Sequence, residues 1–317
     1  MIAPDTRPVA LIGAPTDAGA GRRGGSMGPE ALRVAGIGPA IRRLGREVDD
    51  RGNLAGPANP EDLPGDDHRH LPAVIAWCAL VRDAVHGALD GGFLPVVMGG
   101  DHALAVGSIA GVVRHCAAPG RPVSVLWLDA HADFNSADTS PSGNLHGMPV
   151  AIVAGHGPAP LTGLAGSVPM IDPHHVVQVG IRSVDAMERT LIAENGITVY
   201  DMRRIDENGM RNIMDQALDQ AARTGGHLHV SFDVDFLDPA IAPGVATTVP
   251  GGPTWREAML CMEMIHDSGL MASLDIMELN PAFDEGNRTA ELAVELVESL
   301  FGQQILARPH DSPRYRL

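Results

Sequence analysis

Asp129, His131 and Asp133 alternate with alanine in the segment Leu128-Asp129-Ala130-His131-Ala132-Asp133, and Asp233-Val234-Asp235 repeats the spacing later in the chain. On an extended backbone, side chains two apart point the same way, so each set converges on one space. Carboxylates crowded with an imidazole repel one another unless cations hold them. Ligation rich in oxygen with a minority of imidazole suits hard or borderline divalent metals, manganese above all, and carboxylates able to bridge favour two ions.

Such residues need a frame that brings them together. Short apolar runs predict strands over Val9 to Ile12, Glu47 to Asp49, Leu94 to Met98, Val123 to Leu128, Val176 to Val179, Ile197 to Tyr200, Leu228 to Phe232 and Met271 to Met277. Amphipathic stretches lie between them. Leu71, Val74, Ile75, Cys78, Val81, Val85 and Leu89 keep a helical stripe, Met210 to Arg223, Thr254 to Ser268 and Thr289 to Leu300 resemble it, and Gly28-Pro29 opens another helix. This alternation predicts an α/β fold: one domain over residues 1–317 with a mostly parallel, eight-stranded sheet and helices on both faces. The loops Gly52 to Asp67 and Gly155 to Pro169 are too short for domain linkers, and the polar tail over 308–317 reads as mobile.

On this map every polar cluster falls at a strand's carboxyl end. Gly99-Gly100-Asp101-His102 follows Met98, the Asp129 group follows Leu128, Asp233 and Asp235 follow Phe232, and Glu278 follows Met277. Ligands bind at that edge of open parallel sheets because helices and loops part there. Each residue also has a structural alternative. His102 alone could be a core or capping histidine, Asp233 an N-cap, and Asp138 and Asp238 turn residues, while Asp101 reads better as structural. Jointly, six ionisable groups at one edge without counter-charge would be prohibitively costly to bury, which favours a dinuclear metal site.

Composition narrows the partners. A formal charge of -16 leaves no basic surface for nucleic acid or an anionic membrane. Cys78, Cys116 and Cys261 have no ligand spacing and read as buried free thiols in a reducing cytoplasm. The amino terminus lacks a basic and apolar leader, and no stretch is expected to approach a membrane span.

Gly99-Gly100-Asp101-His102, Asp129 to Asp133 and Ser231-Phe232-Asp233-Val234-Asp235 together resemble the three metal-binding motifs of the ureohydrolases, the manganese enzymes that include arginase and agmatinase. Gly28 to Arg33 and Asp275-Ile276-Met277-Glu278-Leu279-Asn280-Pro281 are also similar to family segments, so the resemblance spans nearly the whole chain. It implies the arginase/deacetylase-like fold and two Mn2+ per chain. One ion would be held by His102, Asp129, Asp133 and Asp233, and the other by Asp129, His131, Asp233 and Asp235, with Asp129 and Asp233 bridging. Two dications sharing a water lower its pKa enough to attack an unreactive guanidinium carbon.

The substrate side resembles the arginase branch. Asn135, Ser142 and Asn144 match residues that hold an α-carboxylate there, and Asp185 with Glu188 match the acidic pair that reads the α-amino group. Glu278 would accept the guanidinium, His146 would shuttle protons, Thr247 would line the site, and Asp133 would serve catalysis beside its metal role. Ser142 and Asn144 could instead form turns, Asp185 to Glu188 a helix's acidic first turn, and His146 a turn cap. Ala132, Pro141, Phe236 and the loose match of Gly25-Ser26-Met27 depart from the family pattern, and Phe236 is expected to narrow or reshape the pocket. The resemblance thus implies a cytoplasmic homotrimer or homohexamer that hydrolyses L-arginine to L-ornithine and urea. The alternatives are an agmatinase or guanidino-acid hydrolase on the same fold, or a noncatalytic metal- or partner-binding relative.

Overall fold

Strands made of unbroken Val, Ile and Leu must be buried on both faces, which only a sheet covered by helices on each side provides. The computed structural model, describing residues 6–61 and 70–306, has that form. Its strands are β1 (Val9–Ala14), β2 (Val48–Asn53), β3 (Leu94–Gly99), β4 (Val123–Leu128), β5 (Val176–Ile181), β6 (Thr198–Asp201), β7 (His227–Asp233) and β8 (Met271–Met277). They form one sheet in the order β2-β1-β3-β8-β7-β4-β5-β6. Every pairing in it is parallel, so the expected mostly parallel sheet is wholly so. The two edges are short or polar; β2 reads Val-Asp-Asp-Arg-Gly-Asn and is largely exposed, which discourages further strand pairing.

The early helices are α1 (Gly28–Val34), α2 (Ile37–Arg43), α3 (Leu71–Asp90) and α4 (Ala105–Ala117). After β4 come α5 (Pro149–Val153), α6 (Ala159–Thr162), α7 (Ala186–Asn195), α8 (Met202–Asn208), α9 (Met210–Thr224), α10 (Trp255–Ser268) and α11 (Arg288–Leu300). Leu11, Val96, Leu128, Val230 and Phe232 point to one face, beneath α1, α2 and α9 to α11; Ala10, Ile12, Val97, Val125 and Trp127 point to the other, beneath α3, α4 and α5. Local chemistry sets the helix ends. A capping box between Thr254 and Glu257 starts α10, and Gly269 in the left-handed conformation stops it.

Helix α4 is not among the helices expected from the sequence. Its residues from Ala105 to Val112 are all buried. Gly107 and Gly111 let it lie against α3 so closely that a Cβ would come within 2.5 Å of the Cys78 carbonyl and 2.7 Å of the Arg82 carbonyl. One expectation needs correcting. Helix α3 is, by length and a mean hydropathy of 1.2, apolar enough to cross a membrane. Its Val74, Trp77, Cys78, Val81 and Val85 are nevertheless buried in the core, while Arg82 and Asp83 interrupt the other side. The expected mobile tail over 308–317 and the end of the Gly52 to Asp67 loop lie outside the described residues, and the Gly155 to Pro169 loop contains α6.

The four strands carrying the polar clusters, β3, β8, β7 and β4, stand side by side in the middle of the sheet. Met98, Ile276, Phe232 and Leu128 form one continuous rung across them. The chain therefore leaves all four strands at the same height, and His102, Glu278, Asp233 and Asp129 begin around a common crevice.

Candidate metal centre

Two clusters of donors meet at that edge. In the first, His102 Nδ1 lies 2.8 Å from Asp233 Oδ2, 3.1 Å from Asp129 Oδ2 and 3.4 Å from Asp133 Oδ2. In the second, His131 Nδ1 lies 3.0 Å from Asp235 Oδ2 and 3.6 Å from Asp129 Oδ1. Asp129 belongs to both groups, through different oxygens. Cis donors of an octahedral divalent ion at about 2.1 Å stand about 3 Å apart, the spacing seen here. His102 Nδ1 is buried and has no hydrogen-bond partner, as an atom reserved for a metal would be. The donor set therefore fits divalent cations. Asp233 joins the first group directly; its Oδ1 accepts from the Asp235 N–H at 2.7 Å, so the second bridge expected of it is not drawn by the same contacts.

Backbone geometry aims these groups. The N–H of His131 donates to Asp129 Oδ1 at 2.6 Å and that of Ala130 to Asp235 Oδ1 at 3.1 Å. Asp133 and Glu278 sit at φ 50° and 62°, a left-handed conformation that non-glycine residues adopt only where their surroundings impose it. Trp127 stacks on the His102 ring at 4.0 Å and 7°, and its indole N–H donates to Asp129 Oδ2 at 2.8 Å.

Crowding shows in the protonation equilibria. Burial, reinforced by neighbouring carboxylates, raises Asp133 and Asp233 well above the ordinary range and raises Asp235 as well. Burial also opposes charge on Asp129, but His102 and His131 outweigh it and hold that carboxyl low. For His102, burial is overcome by Asp129 and its neighbours, which raise it to about 9; His131 is raised likewise, chiefly by Asp235 and Asp129 against its burial. Without cations the cluster is thus a proton-sharing one, and cations must displace protons to bind.

Above the clusters lies a cavity of about 140 Å³. His102, His131, Asp133, Asp233 and Asp235 line its floor, and Glu278, His146 and Thr247 its wall, with Asn135, Pro141, Ser142, Asp185 and Glu188 among the rest of the lining. Glu278 Oε1 accepts from the His102 N–H at 2.8 Å and meets His146 Nδ1 at 2.9 Å. Burial pushes Glu278 upward, but His146 and that backbone donor outweigh it and leave the carboxyl below its usual value; Glu278 in turn raises His146 against burial. Thr247 Oγ1 donates to Asp235 Oδ2 at 3.2 Å and faces the cavity, whereas Thr248 is exposed.

The remaining expectations divide. Asp185 and Glu188 form a capping box on α7, with both Glu188 oxygens taken by the N–H groups of Phe134 at 2.8 Å and Asp185 at 3.0 Å. Asp185 stays exposed to the cavity, where Asn135 Nδ2 donates to it at 3.0 Å. Asn144 is not part of the lining: its amide packs against Gly21, and its Oδ1 is buried without a partner. Asp101 caps Ala103 and accepts from Gly19, a structural role. Asp238 binds the N–H groups of Ala240, Gly251 and Gly252 and is likewise a turn residue. Phe236 corrects an expectation. It does not narrow the pocket but is fully buried, edge-on to Phe232 at 6.5 Å and pressed on Gly180, where at φ 96° a Cβ would stand 2.4 Å from its ring.

Motif spacing does not mark Arg182, whose guanidinium donates to five carbonyls, those of Gly180, Asp235, Phe236, Leu237 and Val249, at 2.8 to 3.1 Å. It clamps the turn that presents Asp235. His227, His229 and Ser273 also went unnoticed; the signal was the period-two run His227, His229, Ser231, Asp233 on one face of β7.

The arginase family model matches residues 7–302. The chain belongs to the arginase family. An arginase of Brucella melitensis is 48% identical over 94% of this chain and 97% of its own length, and one of Bacillus subtilis is 42% identical over 94% and 99%. The structure of Bacillus caldovelox arginase matches with a TM-score of 0.90 at 41% identity, covering 95% of this chain and 100% of that one. These likenesses bear out the resemblance to the ureohydrolases, the single-domain parallel α/β fold, and the reading of the chain as a hydrolase acting on a guanidino group.

Proposed function

We propose that the chain hydrolyses L-arginine to L-ornithine and urea with two divalent cations, manganese by preference, held by His102, Asp129, Asp133, Asp233, His131 and Asp235. The carrying observation is that two His/Asp clusters share Asp129 beneath a cavity whose wall holds Glu278. The relatives named arginase support the choice of substrate. Bound there, the cations supply Lewis acidity: they balance the aspartates and acidify water.

The side chains do the rest. Both contacts of Glu278 use Oε1, leaving Oε2 to accept a guanidinium N–H and turn the reactive carbon toward the floor. His146, kept basic by Glu278, carries a proton to the leaving amine as the carbon–nitrogen bond breaks and water oxygen is retained in urea. Asn135 and Ser142 offer neutral donors to the α-carboxylate, and Asp185 accepts from the α-ammonium while Glu188 fixes the turn beneath it. The same reading places the enzyme in a reducing cytoplasm as a homotrimer or homohexamer, which light scattering on purified protein tests.

Urea release after manganese loading, measured on arginine, agmatine and 4-guanidinobutyrate, tests the proposal. Arginine should be turned over at least about tenfold faster than either, a difference of roughly 1.4 kcal/mol at the transition state. Faster turnover of agmatine would replace arginine as the substrate, and no urea from any of them would favour a noncatalytic role.

A further inference from the structure

The face of β7 and β8 beneath α4 carries a buried polar stripe. Ser231 stands opposite Asp275 and His229 opposite Ser273 in the strand register. With His227 these residues are all at most 2% exposed. Their contacts form one chain: His227 Nε2 to Ser273 Oγ at 2.8 Å, Ser273 Oγ to His229 Nδ1 at 2.8 Å, and His229 Nε2 to Asp275 Oδ2 at 3.0 Å. From Asp275 Oδ1 it continues to Ser231 Oγ at 2.6 Å and from there to His102 Nε2 at 2.9 Å.

The directions of these bonds follow from the one member that only accepts. An ionised Asp275 has no proton to give, so the Ser231 hydroxyl donates to it. The oxygen of Ser231 must then accept, and its donor is the Nε2–H of His102. That proton assignment leaves the lone pair of a neutral His102 on Nδ1, the buried atom with no hydrogen-bond partner that faces Asp129, Asp133 and Asp233. Stacking on Trp127 holds the plane of the ring but not which edge faces the carboxylates. The Ser231 contact makes that choice. On the far side, His229 donates to Asp275, accepts from Ser273, and is backed by His227, so a buried carboxylate receives donors on both oxygens.

We propose that Ser231 and Asp275 are positioning residues that hold His102 as its Nε2–H tautomer with Nδ1 aimed at the first cation, and that His229, Ser273 and His227 brace Asp275 from behind. The inference rests on the two-cation reading of the centre. It assigns the brace to only one of the two sites, because His131 has no contact with the stripe.

Calorimetric titration of metal-stripped full-length protein with Mn2+ alone tests it, with the melting temperature of each metal-free variant alongside. Wild type should bind two ions. Ser231→Ala should weaken one of them by about 10- to 100-fold, the usual effect of removing a histidine's outer partner, and leave the other within about threefold. Ser231→Thr, which restores the hydroxyl, should recover most of the loss. Asp275→Asn, nearly identical in volume, carries the same test should Ser231→Ala fail to fold. Two ions bound as tightly by Ser231→Ala as by wild type would overturn the positioning role while leaving the two-cation reading intact. Equal weakening of both ions with a lowered melting temperature would also overturn it, as the mark of general loosening. Fewer than two ions on wild type would overturn the two-cation reading, and this inference with it.

Discussion

Replacing Arg182 should reveal how the Asp235 turn is held. Its five N–H groups each meet a carbonyl, and the carbonyls of Gly180, Asp235, Phe236 and Leu237 belong to buried residues. Bonds from a charged donor contribute at least about 1.5 kcal/mol each, so five give roughly 7 to 8 kcal/mol gross. Burial makes the guanidinium itself costly and lowers its pKa despite Asp235 and Asp129 nearby, and relief of that cost returns several kcal/mol. A net loss of about 3 to 5 kcal/mol remains for Arg182→Gln, a large share of the ~5 to 15 kcal/mol that holds a typical domain. By the usual scaling of unfolding entropy with chain length this lowers the melting temperature by about 5 to 8 °C. Scanning calorimetry on metal-free protein reads it directly. Arg182→Lys should recover less than half, because an ammonium concentrates three donors at one point and cannot span five carbonyls. A melting temperature for Arg182→Gln within about 2 °C of wild type would refute the clamp.

Phe236→Ala should cost about 3 to 5 kcal/mol of stability, measured by urea denaturation, while leaving KM for arginine within about twofold, since the ring fills the core and not the cavity. Glu278→Gln should lower kcat by at least about 100-fold with metal content unchanged by atomic absorption; loss of metal would contradict its placement outside the ligand set. The metal-free protein should lose stability as pH rises from about 4 to about 9, followed by melting temperature. From about pH 4 the folded chain keeps protons that the unfolded chain releases on the raised Asp133 and Asp233 and, up to about 7, on Asp101, lifted there by burial and Glu278; from about 6.5 to about 9 His102 adds its own. His227, pushed down to about 2 by burial, acts oppositely, but only below its unfolded value of about 6.5. Mn2+ should remove most of the dependence by displacing those protons, and stability that rose with pH in its absence would contradict the shared-proton cluster.

Strands β1, β3, β4 and β5 were legible because a buried run rich in Val, Ile and Leu bounded by turn residues has few other readings, whereas the polar, exposed β2 overlaps the expected 47–49 only at Val48 and Asp49. The placement of each polar cluster at a strand end was equally plain. Strand order was not, since nothing local states that β8 and β7 separate β3 from β4, or that Met98, Ile276, Phe232 and Leu128 share a rung. Helix α4 escaped notice because its first eight residues, Ala105 to Val112, are all buried and exposed residues appear only in its last turns. Phe236 was misread because its neighbours in sequence line the site, whereas its own side chain turns toward Gly180, distant in the chain. At Asp185 and Glu188 the structural and functional readings proved compatible. Both carboxylates take part in the capping box, and the exposed Asp185 also faces the cavity. Arg182 depends on partners in other loops, which no spacing rule reaches, and the period-two run from His227 to Ser231 marks a shared face but not its partners Ser273 and Asp275 on β8.

Anomalous diffraction at the manganese edge, on crystals grown with Mn2+, tests the shared cage most directly. Two peaks are expected in each chain, one within ligand distance of His102 Nδ1 and one of His131 Nδ1, with Asp129 reaching both. A single peak, or two peaks that Asp129 does not join, would contradict it.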